Sequence, residues 1–263
     1  MTMGEKAPGR LDIPSLKNTV SAEEWAVRVH LAAAYRLVAL MGWDDLIYTH
    51  ISARVPGGDH HFLMNPLGLT FDEITASSLV KVDLSGTKVM DSPFEVNKAG
   101  FVIHGALHAA REDAHCVMHL HTDYGIAVSN QKDGLKPHAQ TNIIAGLSVA
   151  YHDFEGLAVR EDEQARLVAD MGDARALILR NHGTLTVGPS VAQAFELMHF
   201  LEKACRIQVL TESTGAPLVM PDRQAIDNTV RDVLSVAGGD GADRLVWPAL
   251  LRRLDRIDTS FRE

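Results

Sequence analysis

Cysteine is nearly absent from this sequence: Cys116 and Cys205 are the only two, each set in an apolar segment. They read as buried free thiols, which leaves no disulfide framework to organise the fold. Long apolar runs are missing as well, and no uninterrupted stretch approaches the length of a membrane-spanning helix. The opening segment is polar and broken by Pro8, Gly9 and Pro14. It lacks the apolar core of a secretion signal, so the cytoplasm is the expected compartment. Positive charge is also scarce. Lys and Arg total 25 against 34 Asp and Glu, for a net charge of −9, and no basic block stands out. That balance excludes a nucleic-acid or anionic-membrane partner. Repeats and low-complexity tracts are absent.

What remains is an ordinary globular composition, 46% hydrophobic and 22% charged over 263 residues, long enough to bury one sizeable core. Residues 1–20 are expected to be a flexible N-terminal segment, 21–215 the functional domain, and 216–263 a helical extension packed on it. Ser21-Ala22-Glu23-Glu24 is a capping box, and helical periodicity follows to about Leu40 before Gly42. Strands are expected at His50–Val55 and His61–Met64, around the turn Pro56-Gly57-Gly58. A hairpin is expected at Val80–Leu84 and Lys88–Met90, around Ser85-Gly86. The pattern is helical from Gly100 to Arg111, then strand from Cys116 to His121, then a short helix from Tyr124 to Asn130. Strand at Leu147–His152 and helix at Glu161–Met171 come next. Strands at Ala176–Arg180 and Thr184–Val187 flank Asn181-His182-Gly183, and a long helix runs from Ser190 to Ser213. Past Pro217, helices are expected at Arg223–Val236 and Ala242–Ile257. Strands and helices mixed in this way predict one sheet covered by helices on both faces.

Thirteen histidines are present, and most need no functional explanation. His30 and His199 lie within helices, while His60, His61 and His138 lie near turns or loops. His104 and His108 share a helix face at i, i+4, where packing is the simpler role. Met118-His119-Leu120-His121 is different. On a strand, alternate side chains share a face, so His119 and His121 project together with Cα atoms about 6–7 Å apart. Two imidazoles so placed can converge on one ion at bond lengths near 2.0–2.1 Å. The pair alone reads equally as two half-exposed surface histidines. A second feature is Leu179-Arg180-Asn181-His182-Gly183-Thr184, an apolar strand running into His182, with Gly183 permitting a sharp change of direction. Taken alone, it also reads as a polar turn.

The two features together resemble the class II aldolase/adducin family. Ala110-Arg111-Glu112-Asp113-Ala114-His115-Cys116-Val117-Met118-His119-Leu120-His121-Thr122 is similar to its acidic turn and HxHT strand. Arg180-Asn181-His182-Gly183 is similar to its distal ligand motif, and Thr49-His50-Ile51-Ser52-Ala53-Arg54 to its N-terminal strand motif. The match runs in consistent order from about residue 25 to residue 213. It implies a three-layer α/β/α fold with a largely antiparallel central sheet. It also implies a divalent metal held by His119, His121 and His182, zinc in the usual case with Mn2+ or Fe2+ as alternatives, and assembly as a homotetramer.

The family's sugar-phosphate aldolases carry a Ser-Ser-Glu signature before the metal strand, and its glutamate handles the substrate proton. Here that stretch is Lys98-Ala99-Gly100, and the phosphate loop reads Pro66-Leu67-Gly68. A glycine cannot exchange a proton, and the phosphate-binding hydroxyls are gone. Where the N-terminal motif usually offers Gly-Asn, this chain has Thr49-His50. Asn97-Lys98-Ala99-Gly100-Phe101 and Tyr151-His152-Asp153 resemble the adducin branch and its bacterial relatives. The expected activity is therefore a metal-dependent carbon–carbon lyase on a small hydroxy or keto acid, either a decarboxylase or an aldolase of non-phosphorylated substrates. His50 and His152 are the candidate proton donors, and Lys98 is the candidate partner of a substrate carboxylate. The alternatives are an Fe(II)-dependent oxygenase on the same open three-histidine site, and a non-catalytic adducin-like module.

Overall fold

The strand β4 (Cys116–Leu120) is buried along its whole length and forms the middle of the sheet. A computed structural model of the chain describes residues 11–57, 59–157, 162–236 and 241–263, so residues 1–10 of the expected flexible N-terminal segment lie outside the described residues. Around β4 stand β1 (His50–Arg54), β2 (Phe62–Met64), β3 (Val80–Val82), β5 (Val149–His152), β6 (Ala176–Leu179) and β7 (Gly183–Gly188). Their order across the sheet is β3-β2-β1-β4-β7-β6-β5. Every pairing is antiparallel except β5 with β6. The helices are α1 (Ala22–Leu40), α2 (Lys98–Ala110), α3 (Asp123–Ser129), α4 (Gln140–Gly146), α5 (Glu163–Met171), α6 (Val191–Glu212), α7 (Arg223–Val236) and α8 (Trp247–Asp255). This is an α/β architecture in three layers around a largely antiparallel sheet.

Strand alternation builds the layers. Cys116, Met118 and Leu120 of β4 and Ile51 and Ala53 of β1 enter one core with Leu31 and Tyr35 of α1 and Phe195 and Met198 of α6. Trp247, Leu254 and Phe261 from the C-terminal stretch complete that core. Val117 turns the other way, where Leu177, Leu179, Leu185 and Val187 meet Ile103 and Leu107 of α2 and Leu167 and Met171 of α5. His119 and His121 alternate with Leu120, so they share the α2 side of the sheet.

Several local expectations are altered. Ser21 Oγ accepts from the Glu24 N–H at 3.1 Å, which is half of the capping box. The Glu24 carboxylate does not return to the cap, because it is buried between Arg28 and Lys81 at 2.9 and 2.8 Å. The hairpin after β3 reduces to a single Val82–Lys88 bridge. There Asp83 Oδ1 instead accepts from the backbone N–H groups of Ser85 and Thr87, which closes a tight turn. Helix α4 has no counterpart in the periodicity reading. Its N-cap, Ala139, makes no side-chain bond, and α4 is held instead by tertiary contact, with Asn142 Nδ2 donating to Ala204 O of α6. Among the described residues, no helix is long and apolar enough to cross a membrane.

Candidate metal centre

His119 sits on β4, His121 is the residue immediately after that strand, and His182 lies in the turn between β6 and β7. The register pairs Leu120 with Thr184, which brings this turn over the end of β4. One ring nitrogen from each histidine can be chosen so that all three lie within 4.8 Å of one another. The ring centroids are 4.8 to 4.9 Å apart. Gly183 is needed here for a reason other than the turn. A Cβ on it would lie 2.6 Å from the Leu120 carbonyl oxygen, 3.2 Å from His121 Cδ2 and 3.4 Å from His119 Cε1. The change of direction falls instead on Asn181, with φ of +56°. Its side chain is fixed by Nδ2 donating to Asn130 Oδ1 at 2.9 Å. Asparagine tolerates this left-handed conformation better than most residues.

Hydrogen bonds behind two of the rings set their tautomers. His119 Nδ1 lies 3.0 Å from the Thr184 carbonyl oxygen, which can only accept, so Nδ1 carries the hydrogen. His121 Nδ1 donates to Asp45 Oδ2 at 3.0 Å. Burial, followed by His182 and His121, holds His119 well below the usual histidine range. Burial and then His121 lower His182 to about 4. With Nδ1 engaged on both rings, the Nε2 atoms of His119 and His121 face each other at 3.1 Å. A cation beside both nitrogens would take a lone pair from each ring. A tetrahedral ion with bonds near 2.0–2.1 Å places its ligand nitrogens about 3.3 Å apart. The donor set and its outer bonds therefore fit a divalent ion that prefers nitrogen ligands.

Residues 29–209 match the family described as Class II Aldolase and Adducin N-terminal domain. The chain belongs to this family. It is 54% identical over 255 residues to a Caulobacter vibrioides protein named "Putative aldolase class 2 protein", covering 97% of this chain and 99% of that one. It is 43% identical over 247 residues to alpha-adducin of Rattus norvegicus, covering 89% of this chain and 34% of the adducin. Among solved structures, L-fuculose 1-phosphate aldolase from Glaciozyma antarctica superposes with a TM-score of 0.80 at 28% identity, covering 92% of this chain and 94% of that one.

The family motifs land at one end of the sheet. His50 is paired in register with His119 across β1 and β4. It is buried, and burial followed by His121 lowers it to about 4. Thr49, where family members usually have glycine, is enclosed and keeps the left-handed backbone of a glycine, with φ of +68°. His152 is held elsewhere. It ends the edge strand β5, three strands along from β4, with Nδ1 bonded to Asp170 Oδ2 at 2.7 Å and Nε2 3.4 Å from Glu163 Oε1. The parallel β5–β6 pairing sends it to α5 and not among the three imidazoles. Lys98 opens α2, as Ala99 and Gly100 continue it, but the side chains of these three lie outside the described residues. Asp45 and the Thr184 carbonyl were not singled out from the sequence. Asp45 is 76 positions from the ring it holds, and a backbone carbonyl carries no residue signal.

Proposed function

We propose that the chain is a metal-dependent carbon–carbon lyase acting on a small hydroxy or keto acid, as a decarboxylase or an aldolase of non-phosphorylated substrates. In this reading His119, His121 and His182 are the ligands of a zinc ion, and the protein works as a homotetramer. The observation that carries it is the convergence of the three imidazoles, with the Nε2 atoms of His119 and His121 facing each other at 3.1 Å and backed by Thr184 and Asp45. A divalent ion bound there supplies positive charge that polarises the oxygens of a chelating acid. Imidazole ligands suit zinc, iron and manganese in differing degree, so the ligand set does not by itself select among them.

The chain's own residues argue against sugar phosphates. Gly100 has no group to exchange a proton, and Ala99 and Leu67 have no hydroxyl for a phosphate. The activity named for the Glaciozyma antarctica protein, at 28% identity, is therefore not carried over. Loss of CO2 from an acid needs no base to start it, which suits a site without the glutamate. His50, beside His119, is the group assigned to exchange the proton that follows. His152, bonded to Asp170, is assigned to anchoring α5. A second reading, a non-catalytic module that retains its metal, is favoured by the 43% identity to alpha-adducin.

Metal analysis and a panel of hydroxy and keto acids separate the two. The expected result is about one divalent ion per chain, lost in His121→Ala, because two imidazoles hold it far less well than three. CO2 release or aldol cleavage should stop with chelator and return with added metal. Unchanged metal content in alanine variants of all three histidines removes the site. A metal-loaded protein inert across the panel favours the non-catalytic reading, and sugar-phosphate cleavage at ordinary enzyme rates overturns the substrate class.

A further inference from the structure

Behind the three imidazoles lies a buried polar tract that the proposed chemistry has not used. His108 Nδ1 lies 2.7 Å from the Ala114 carbonyl oxygen, and His108 Nε2 lies 2.7 Å from Ser52 Oγ. Ser52 Oγ is also 2.7 Å from His104 Nδ1. Ser52, His104 and His108 are 0%, 0% and 2% exposed, so these contacts exclude bulk water. Beyond them, His104 Nε2 and His50 Nδ1 are enclosed without a protein hydrogen-bond partner. Their rings meet edge to face, with centroids 5.9 Å apart.

Hydrogen-bond accounting gives this tract a single direction. A carbonyl only accepts, so His108 must carry its hydrogen on Nδ1. Burial lowers His108 to about 3, so the ring is neutral and its Nε2 is a bare acceptor. The Ser52 hydroxyl has one hydrogen, which goes to that acceptor. Its oxygen then accepts from His104, which must carry its hydrogen on Nδ1. His104 Nε2 is left as a lone pair without a partner in the network, on the ring that packs against His50. A buried acceptor without a partner is costly, of the order of 1–3 kcal/mol, and calls for a donor. The other enclosed ring atom without a protein partner at this place is His50 Nδ1. The two nitrogens make no direct hydrogen bond, and one bridging water can join them, giving one hydrogen to His104 Nε2 while its oxygen accepts from His50 Nδ1.

We propose that Ala114, His108, Ser52 and His104 form a one-way hydrogen-bond relay that, through one water accepting from His50, holds His50 with its hydrogen on Nδ1 and its Nε2 bare, which makes His104 and Ser52 positioning residues for the proton-exchanging group. The inference rests on the lyase reading only for the use made of His50; the hydrogens of His108, Ser52 and His104 follow from their contacts, and that of His50 from the bridging water. The relay also gives α2 a second use. Gly100 and His104 are one turn apart on the same helix face, so the helix that has lost the family's acid/base still reaches toward the centre, through a ring.

Neutron diffraction from the deuterated, metal-loaded protein reads the hydrogens directly. Deuterium is expected on Nδ1 of His108, His104 and His50, with the Ser52 hydroxyl directed at His108. Deuterium on Nε2 of His104, or on Nε2 alone of His50, overturns the relay whatever the protein turns over. Deuterium in the expected places with no turnover of any acid leaves the relay standing and removes the lyase reading. Where turnover is found, Ser52→Ala should lower kcat about 10-fold or more with KM and metal content unchanged, since proton-transfer effects run to about 10²–10⁴-fold. Ser52→Thr, which keeps the hydroxyl, should recover most of that loss. A Ser52→Thr variant as impaired as Ser52→Ala would mean that packing, not hydrogen bonding, is what Ser52 supplies, and would overturn its positioning role.

Discussion

Asp45 is not one of the three clustered histidines, yet it orients the His121 ring that is proposed to bind the metal. Its carboxylate accepts from Nδ1 at 3.0 Å and so keeps Nε2 free and aimed. Outer partners of this kind are worth about 10–100-fold in metal affinity. Asp45→Ala is therefore expected to weaken binding by that factor while leaving the fold intact, as measured by competition with a chelator and by circular dichroism. Affinity equal to that of the unaltered protein would show that the bond does not orient the ring. Thr49, next to His50, poses a different balance. A β-branched residue in a left-handed conformation costs about 1–3 kcal/mol, and its enclosed Oγ1 without a partner adds about 1–3 kcal/mol. Replacing it by glycine gives up about 0.5–1 kcal/mol of chain entropy and about 0.8 kcal/mol for a buried methyl group. The favourable terms are larger, so Thr49→Gly should stabilise the protein by about 1 kcal/mol, read as a higher midpoint in urea. A lower midpoint would mean that the side chain packs better than its backbone suggests.

At the scale of elements, α2 and β1 meet through polar groups where the neighbouring helices meet the sheet through apolar ones. Burial lowers His108 from 6.5 to about 3, and it lowers His104 well below 6.5 as well. The sign of the pH effect follows. Above about pH 6.5 both rings are neutral whether folded or unfolded, and they add no pH dependence. Below that value the unfolded chain takes up protons that the folded chain refuses, so stability falls as pH falls. For His108 the loss runs at about 1.4 kcal/mol per pH unit down to about pH 3. Urea unfolding at pH 7.5 and 5.5 should show the drop, and His108→Gln should flatten it. A slope that is unchanged in that variant would place the acid sensitivity elsewhere. The α2 helix itself was legible from its periodicity, and so was the shared face of His104 and His108. Their partner was not, because Ser52 meets them only after β1 packs under α2, 52 and 56 positions away along the chain.

Across the whole molecule, the centre joins β4 in the middle of the sheet to the turn between β6 and β7. A metal there binds the folded state and not the unfolded one, so it should act as a staple. At free metal 100 times the dissociation constant the gain is about 2.7 kcal/mol. Melting followed with and without added zinc should show a rise in Tm that is absent in His182→Ala. A rise that persists in the variant would place the stabilising ion at another position.

The sequence by itself determined the mixed α/β class, most strand and helix positions, and the HxH pair with its distant third histidine. Those features are periodic or local: alternation puts His119 and His121 on one face, and Ser190 and Gly42 punctuate α6 and α1 within a few residues. Tertiary structure alone decided the rest. It assigned the turn to Asn181 and the close approach to Gly183, because the Leu120 carbonyl that crowds Gly183 belongs to another strand. It took His152 to Asp170 through a parallel edge pairing that no local pattern encodes. It formed α4 against α6, and it supplied Asp45, Thr184 and Ser52 as partners of the rings. Each of these depends on distance between residues far apart in the chain, and hydrogen bonds between such residues have no periodicity to announce them.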